Sequence, residues 1–327
     1  MINNNLIGNS FHKSLSYIME SDYSGYDPYD GAWSDYTLIN GRKYTRLLST
    51  YLNKFSPLNL RPLLKIKKSI QNQSLAFIGR AMLSFPDVYL SEINKISDHL
   101  AVDSLIGKHG YHYWDAHAFP IQMRNSYRPV GKTDIIGDEA VGRFFLDLYR
   151  IDLQPQYKEI CNNVAVSFID RHLKNYQSKY FFKYTPSTPI TDWCYNASVI
   201  VGAFVASITR EFNLDFGNAY IDQTFRDVIG QQKPDGQGIY RYPKKYPVNI
   251  HNQAQGIITF TRAAAFGFGD HYLDFARTIA EWTIKNMQDL DGHFYYLKYP
   301  LFTNKIPYIR WSDAAMAYAL SVYLKNK

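Results

Sequence analysis

The chain has 327 residues, 46% of them hydrophobic and 20% charged, with a formal net charge of +7. That composition supports a substantial buried core and excludes a mostly disordered chain. The basic residues are scattered, the densest run being Lys65-Ile66-Lys67-Lys68, so the stripe that nucleic-acid binding needs is missing and no nucleic-acid partner is expected.

In chain order, the first ten residues are polar and Asn-rich, without the basic and apolar regions of a secretory signal. Gly25-Tyr26-Asp27-Pro28-Tyr29-Asp30-Gly31-Ala32-Trp33 sets two carboxylates among aromatic rings, and its Asp-Pro and Asp-Gly steps also make it a tight turn. A helix entrance is expected near Gln71, and a short aromatic strand near Tyr111 in Gly110-Tyr111-His112-Tyr113-Trp114-Asp115-Ala116-His117. Alternate strand residues point to opposite faces, which sets His112 against Asp115 and His117, so no metal site is expected there. Asp134-Ile135-Ile136-Gly137-Asp138 leads into a helix reaching Tyr149, a strand is expected near Phe181, and residues 191–196 lead into a helix reaching Phe212. The pattern then predicts an amphipathic helix over 218–229, a Gln232-Lys233-Pro234-Asp235-Gly236 turn and an aromatic strand over 239–242. Residues 249–253 enter an apolar helix over 254–266, and His271–Met287 forms an amphipathic helix with Phe275 and Trp282 expected in the core. Gln288-Asp289-Leu290-Asp291-Gly292, a strand over 293–296, and residues 309–313 entering a helix over 314–324 complete the chain.

The two Gln-x-x-Asp-Gly stretches mark a repeat. With Gln73, Asp138, Asn196, Gln253 and Asp313 taken as equivalent, the spacings are 65, 58, 57 and 60 residues, a period that fits paired helices plus loops. Helices after the decorated loops are rich in Ala, Gly, Ser and Val and apolar nearly all round, so they are expected to be buried; the intervening ones are amphipathic. The expectation is an all-α fold, an (α/α)6-type toroid of helical hairpins with short β-strand pairs in the loops, having five inner helices and room for a sixth near the N-terminus. No linker divides the chain, so one domain is expected over 1–327. Only Cys161 and Cys194 are present, too few for a disulfide framework, and the longest mostly apolar stretch, 197–208, is too short to span a bilayer. A cytoplasmic protein with no transmembrane segment follows.

The entrances to inner helices carry the chemistry: Asp192, Trp193, Tyr195 and Asn196; His251, Asn252 and Gln253; Arg310, Trp311 and Asp313. Aromatic faces beside acids, amides and a guanidinium suit a sugar ring, whose C–H faces stack while its hydroxyls take bidentate polar partners. The 28 tyrosines fit the same half-wet role. Helix N-capping is the competing reading for Asp192, Asn196 and Asp313. Asp30 and Asp192 form a candidate hydrolytic acid pair; His251 with Arg310, helped by Tyr195, forms a candidate eliminating or epimerising set. Tyr29, Asp27, Trp114, Asp115, Trp193, Tyr195, Asn196, Gln255 and Trp311 are candidate substrate contacts. No phosphate-binding Gly loop, nucleophile elbow or dinucleotide fingerprint is present, and no cofactor is expected.

These motifs resemble the six-hairpin glycosidase-like superfamily, and more narrowly a poorly characterised family linked to bacterial and archaeal polysaccharide biosynthesis. The residues that carry the likeness are Gly25 to Gly31, Tyr195-Asn196-Ala197, the Gln-x-x-Asp-Gly turns, Tyr246-Pro247 with Ile250-His251 and Ala254-Gln255, and Ile306-Pro307-Tyr308-Ile309-Arg310-Trp311. This chain has Asp235-Gly236-Gln237-Gly238 where the family often has Asp-Gly-Ser-Trp, and Tyr240 runs almost directly into the His251 loop. The resemblance implies an oligo- or polysaccharide partner, neutral or anionic, and association with polysaccharide-assembly enzymes. It supports no single reaction; hydrolysis is expected first because acids recur at the loops while one His and one Arg stand at inner-helix entrances, with elimination, uronate epimerisation or non-catalytic glycan binding as alternatives.

Overall fold

A computed structural model describes residues 2–106, 110–124, 127–176, 179–185, 195–214, 247–265 and 269–327. The expected class is the one observed: helices dominate, arranged as hairpins, and the strands are short antiparallel pairs in the loops. The chain divides into two compact units. The first comprises Met1–Ile96, His117–Val130 and Lys245–Lys327; the second comprises Ser97–Ala116 and Gly131–Lys244.

In the first unit, α1 (Ile2–Glu20) buries Ile7, Phe11, Leu15 and Ile18, a stripe at helical spacing. A single turn α2 (Thr37–Asn40) precedes α3 (Lys43–Phe55), and α4 (Asn72–Met82) is buried along most of its length. Next, α5 (Pro86–Val102) begins in this unit and ends in the second. Two further helices lie far along the chain, at Ile250–Ala265 and His271–Met287, and the last at Ala314–Lys325. The last helix is buried at every position from Ala314 through Tyr323. Its lack of a polar face demands neighbours all round, and it packs on α4, on α1 and on the Ile250–Ala265 helix.

The second unit holds α6 (Ile135–Asp152), α7 (Pro155–Ser167) and α8 (Tyr195–Glu211), which pack on one another. Asp134 caps α6 by accepting from the Gly137 N–H at 2.9 Å. Strand pairs Leu105–Ile106 with His112–Tyr113, and Leu173–Tyr176 with Lys179–Phe182, decorate its loops. With these labels, the Ile250–Ala265, His271–Met287 and Ala314–Lys325 helices are α9, α10 and α11.

The repeat has a structural counterpart. Asp138 Oδ1 accepts from the Trp114 N–H at 2.9 Å, Ser198 Oγ from Phe182 N–H at 3.1 Å, and Asp313 Oδ1 from Phe294 N–H at 2.6 Å. Helices α6, α8 and α11 thus each begin with an acceptor that pins an aromatic residue of the preceding segment. Asp313 therefore does not cap its own helix. Gly292, at φ +105°, makes the expected Asp291-Gly292 turn, and a Cβ there would lie 2.5 Å from the Lys13 carbonyl oxygen.

Three local expectations need correction. The strand expected over 293–296 is only a bridge between Gln288 and Phe294; the paired strand comes later, at Leu297–Lys298, between Val248–Asn249 and Thr303–Asn304. The 249–253 entrance is already helical from Ile250 onward. Phe275 and Trp282 are not core residues but are 50% and 39% exposed, because α10 buries the side that carries Ala276, Ala280, Thr283, Ile284 and Met287. The helix over 218–229, the 232–236 turn and the 239–242 strand lie outside the described residues.

Candidate functional site

In the first unit, the turn at 25–33 and the entrance to α11 come together through paired charges. Arg310 Nε donates to Asp27 Oδ2 at 2.7 Å, and its Nη1 donates to Gln73 Oε1 at 3.1 Å. One step along the turn, Asp30 takes Arg61 Nε on both oxygens at 2.8 Å and also accepts from the Asp27 N–H at 2.9 Å. Arg61 Nη2 donates to the Asp27 carbonyl at 2.7 Å. Both acids are 1% exposed, so the two ion pairs form a buried lattice that gives the turn one shape. Gly31 permits it: a Cβ there would lie 2.3 Å from Thr50 Cα on α3.

On this lattice stands an aromatic group. Trp311 follows Arg310 in a π-helical turn, Ile309–Asp313, that precedes α11. Its ring lies 5.8 Å from Tyr29, 5.5 Å from His251 and 6.5 Å from Tyr296, with the Arg310 guanidinium 4.8 Å from its centroid. Its indole N–H is buried with no partner among the described residues. Lys54 from α3 donates to the Tyr29 hydroxyl at 2.8 Å and lies 4.0 Å over that ring. The result is a stacking surface edged by donors.

His251, in the first turn of α9, is solvent-exposed, with protein atoms crowding its ring. Burial, and then the charge of Arg310, hold its imidazole below the ordinary histidine value, so it is neutral and able to accept a proton at neutral pH. Burial pushes the Asp30 carboxyl up to about 6 against the pull of Arg61. It still ionises at neutral pH, but both oxygens are committed.

The candidate residues from the sequence divide accordingly. Asp27, Tyr29, Asp30, His251, Arg310 and Trp311 share this neighbourhood. Gln255 lies one helical turn beyond His251, exposed, and donates to Thr259 Oγ1 at 3.1 Å. In the second unit, Trp114 is 1% exposed, donates its indole N–H to the Leu100 carbonyl at 2.7 Å and stacks on Phe145, so it is a core ring with no face left for a substrate. Asp115 is half-buried there, its carboxyl pushed up mainly by burial. Asp192 and Trp193 lie outside the described residues, as do the side chains of Tyr195 and Asn196.

Other residues were not singled out by motif. Lys54 reaches Tyr29 from an unrelated helix, and no local pattern marks it. Gln73 had a signal, as the first member of the repeat series. His117, considered only as a metal ligand, is buried against Phe119 with no partner for Nδ1 among the described residues. Burial, Arg310 and Arg128 hold its pKa well down.

No protein-family model matches the chain, and no curated protein matches it. Solved structures do. A cellobiose 2-epimerase from Bacillus thermoamylovorans B4167 is 11% identical over 96% of this chain and 87% of its own, with a TM-score of 0.47. A D-mannose isomerase is 13% identical over 97% of this chain and 86% of its own, with a TM-score of 0.45. An inactive α-1,6-mannanase variant of Salegentibacter sp. HEL1_6, in complex with α-1,6-mannotriose, is 10% identical over 98% of this chain and 99% of its own, with a TM-score of 0.48.

Proposed function

We propose that the chain is a carbohydrate-active enzyme that binds an oligo- or polysaccharide on the Trp311–Tyr29 surface and moves a proton with His251. The observation that carries this reading is the imidazole of His251 held 5.5 Å from the Trp311 ring, whose indole N–H has no partner among the described residues. A sugar C–H face on the indole would bring a ring carbon beside the imidazole, and hydroxyls within reach of the Lys54 ammonium. Proton abstraction next to a carbonyl or carboxylate generates negative charge on oxygen, which nearby cations stabilise. Returning the proton to the other face gives epimerisation; loss of the neighbouring glycosidic oxygen gives elimination.

Hydrolysis by Asp30 with Asp192 is the less favoured reading, because both Asp30 oxygens are held by Arg61 and the Asp27 N–H in a site without solvent. A single domain over 1–327, cytoplasmic, working beside polysaccharide-assembly enzymes, is the setting this reading implies. The test is turnover of candidate glycans in deuterated water. Solvent deuterium on a ring carbon, or an unsaturated product absorbing in the ultraviolet, is expected and should vanish in His251→Asn. Release of reducing ends without either signal would overturn the proposal in favour of hydrolysis.

A further inference from the structure

Helix α3 is inverted with respect to ordinary amphipathic packing. Its buried residues are Ser49, Thr50 and Asn53, while Tyr44, Leu48, Tyr51, Leu52 and Phe55 are exposed. Those five fall at positions i, i+4, i+7, i+8 and i+11, so they form one outward stripe opposite the buried polar side. The exposure is large: Tyr44 is 80% exposed and Leu48 60%. Leu38 before the helix and Leu58 and Leu63 after it are exposed as well, at 84%, 69% and 73%. Scattered single leucines on a surface need no explanation, but a continuous helical stripe does.

The sequence that carries the stripe has charge of one sign. Between Asp35 and Asp87 the sequence contains no acidic residue, whereas it contains Arg42, Lys43, Arg46, Lys54, Arg61, Lys65, Lys67, Lys68 and Arg80. Arg61 is spent on Asp30, and Lys67 pairs with Asp35 at 3.3 Å; Arg42, Lys43, Lys65 and Lys68 are exposed. An apolar stripe with basic flanks is the surface that binds at a lipid interface, its side chains entering the headgroup boundary while cations meet anionic headgroups. A second copy docking through the same stripe would set cation against cation. No helix among the described residues is long and apolar enough to cross a membrane, so the contact would be peripheral.

We propose that the outward face of α3, with the basic segment 65–68, docks this protein on a membrane surface rich in anionic lipid. Cosedimentation of the full chain with phosphatidylcholine vesicles, with and without phosphatidylglycerol, tests it. Binding is expected only with phosphatidylglycerol, weakening as salt rises, and falling about fivefold for each cation removed in Lys65→Ala and Lys68→Ala. The double variant Leu48→Ser, Phe55→Ser, at exposed positions, is expected to weaken binding by more than about tenfold with unchanged circular dichroism. Lack of cosedimentation at low salt, equal binding to neutral vesicles, or full binding by the variants would overturn the proposal. So would a dimer in light scattering that Leu48→Ser abolishes, which would give the face to a second copy; should the double variant misfold, the two lysine variants decide.

Discussion

The Asp27 carboxylate and the Arg310 guanidinium meet at 2.7 Å across 283 positions of sequence, tying the turn near the start of the chain to the entrance of its last helix. Asp27 is 1% exposed and Arg310 9%, so removing either partner strands a buried charge. Asp27→Asn is expected to destabilise the protein by about 3–5 kcal/mol, measured by urea denaturation. A cost under about 1 kcal/mol would mean that water reaches Arg310 and that the pair does not organise the site.

Asp30 is the sharper case, because its partner Arg61 is fully buried. The expectation for Asp30→Asn is again a loss of about 3–5 kcal/mol, with a lowered melting temperature. Wild-type stability combined with lost turnover would instead identify Asp30 as a reacting acid, and the hydrolytic reading would regain its force.

His251 supplies a pH test. Its folded-state pKa is lowered by burial and by Arg310, so the imidazole stays neutral as pH falls through the ordinary value of 6.5. The acid limb of the rate profile should therefore lie below that value. Arg310→Gln removes the second cause and leaves the first, so the ring resonances of His251 should titrate at a higher pH than in wild type, closer to 6.5. An unchanged or lower titration point would show that the two side chains do not interact.

Asp138 and Asp313 are pushed up to about 8 and about 7, in both cases chiefly by burial. The folded state then holds protons that the unfolded chain releases above the ordinary carboxylate value of 3.8. Their contribution to stability is complete below that value and is lost as pH rises toward the folded-state values. The loss is at most about 1.4 kcal/mol per pH unit for each group. Between pH 4 and 8, Asp138→Asn should flatten the decline in urea midpoint relative to wild type. A parallel decline in both proteins would rule out Asp138 as its source.

Trp311→Ala should weaken glycan affinity by about tenfold, the order expected when a stacking ring is lost. Tryptophan emission of the wild-type protein should change on glycan addition, whereas Trp114, buried with its N–H on the Leu100 carbonyl, should not contribute. Unaltered affinity in Trp311→Ala would remove the stacking surface from the site.

The repeat was legible in part, from the Gln-x-x-Asp-Gly motif together with the spacing. Asp138 and Asp313, aligned only by period, turned out to share a backbone contact, each accepting an N–H from an aromatic residue upstream. The all-α class was legible too, because a run such as Ala314 to Tyr323 has no polar side to show to water, a property of composition that any tertiary arrangement must respect. Trp114 was misread for the complementary reason: composition around a ring does not reveal whether its N–H will find a carbonyl inside the core.

What the sequence by itself determined, then, was where the inner helices run, that they must be buried, and where a polar and aromatic loop enters each one, since these follow from periodicity and local chemistry. Only the tertiary structure decided that Asp30 belongs to Arg61 and Asp27 to Arg310, because both acids sit in the same turn and their partners lie 31 and 283 positions away. It also decided that α3 turns its apolar stripe outward. A helical period shows that two faces differ, but the neighbour each face meets is set by contacts distant in sequence; Gly31 against Thr50 puts the polar side of α3 inside.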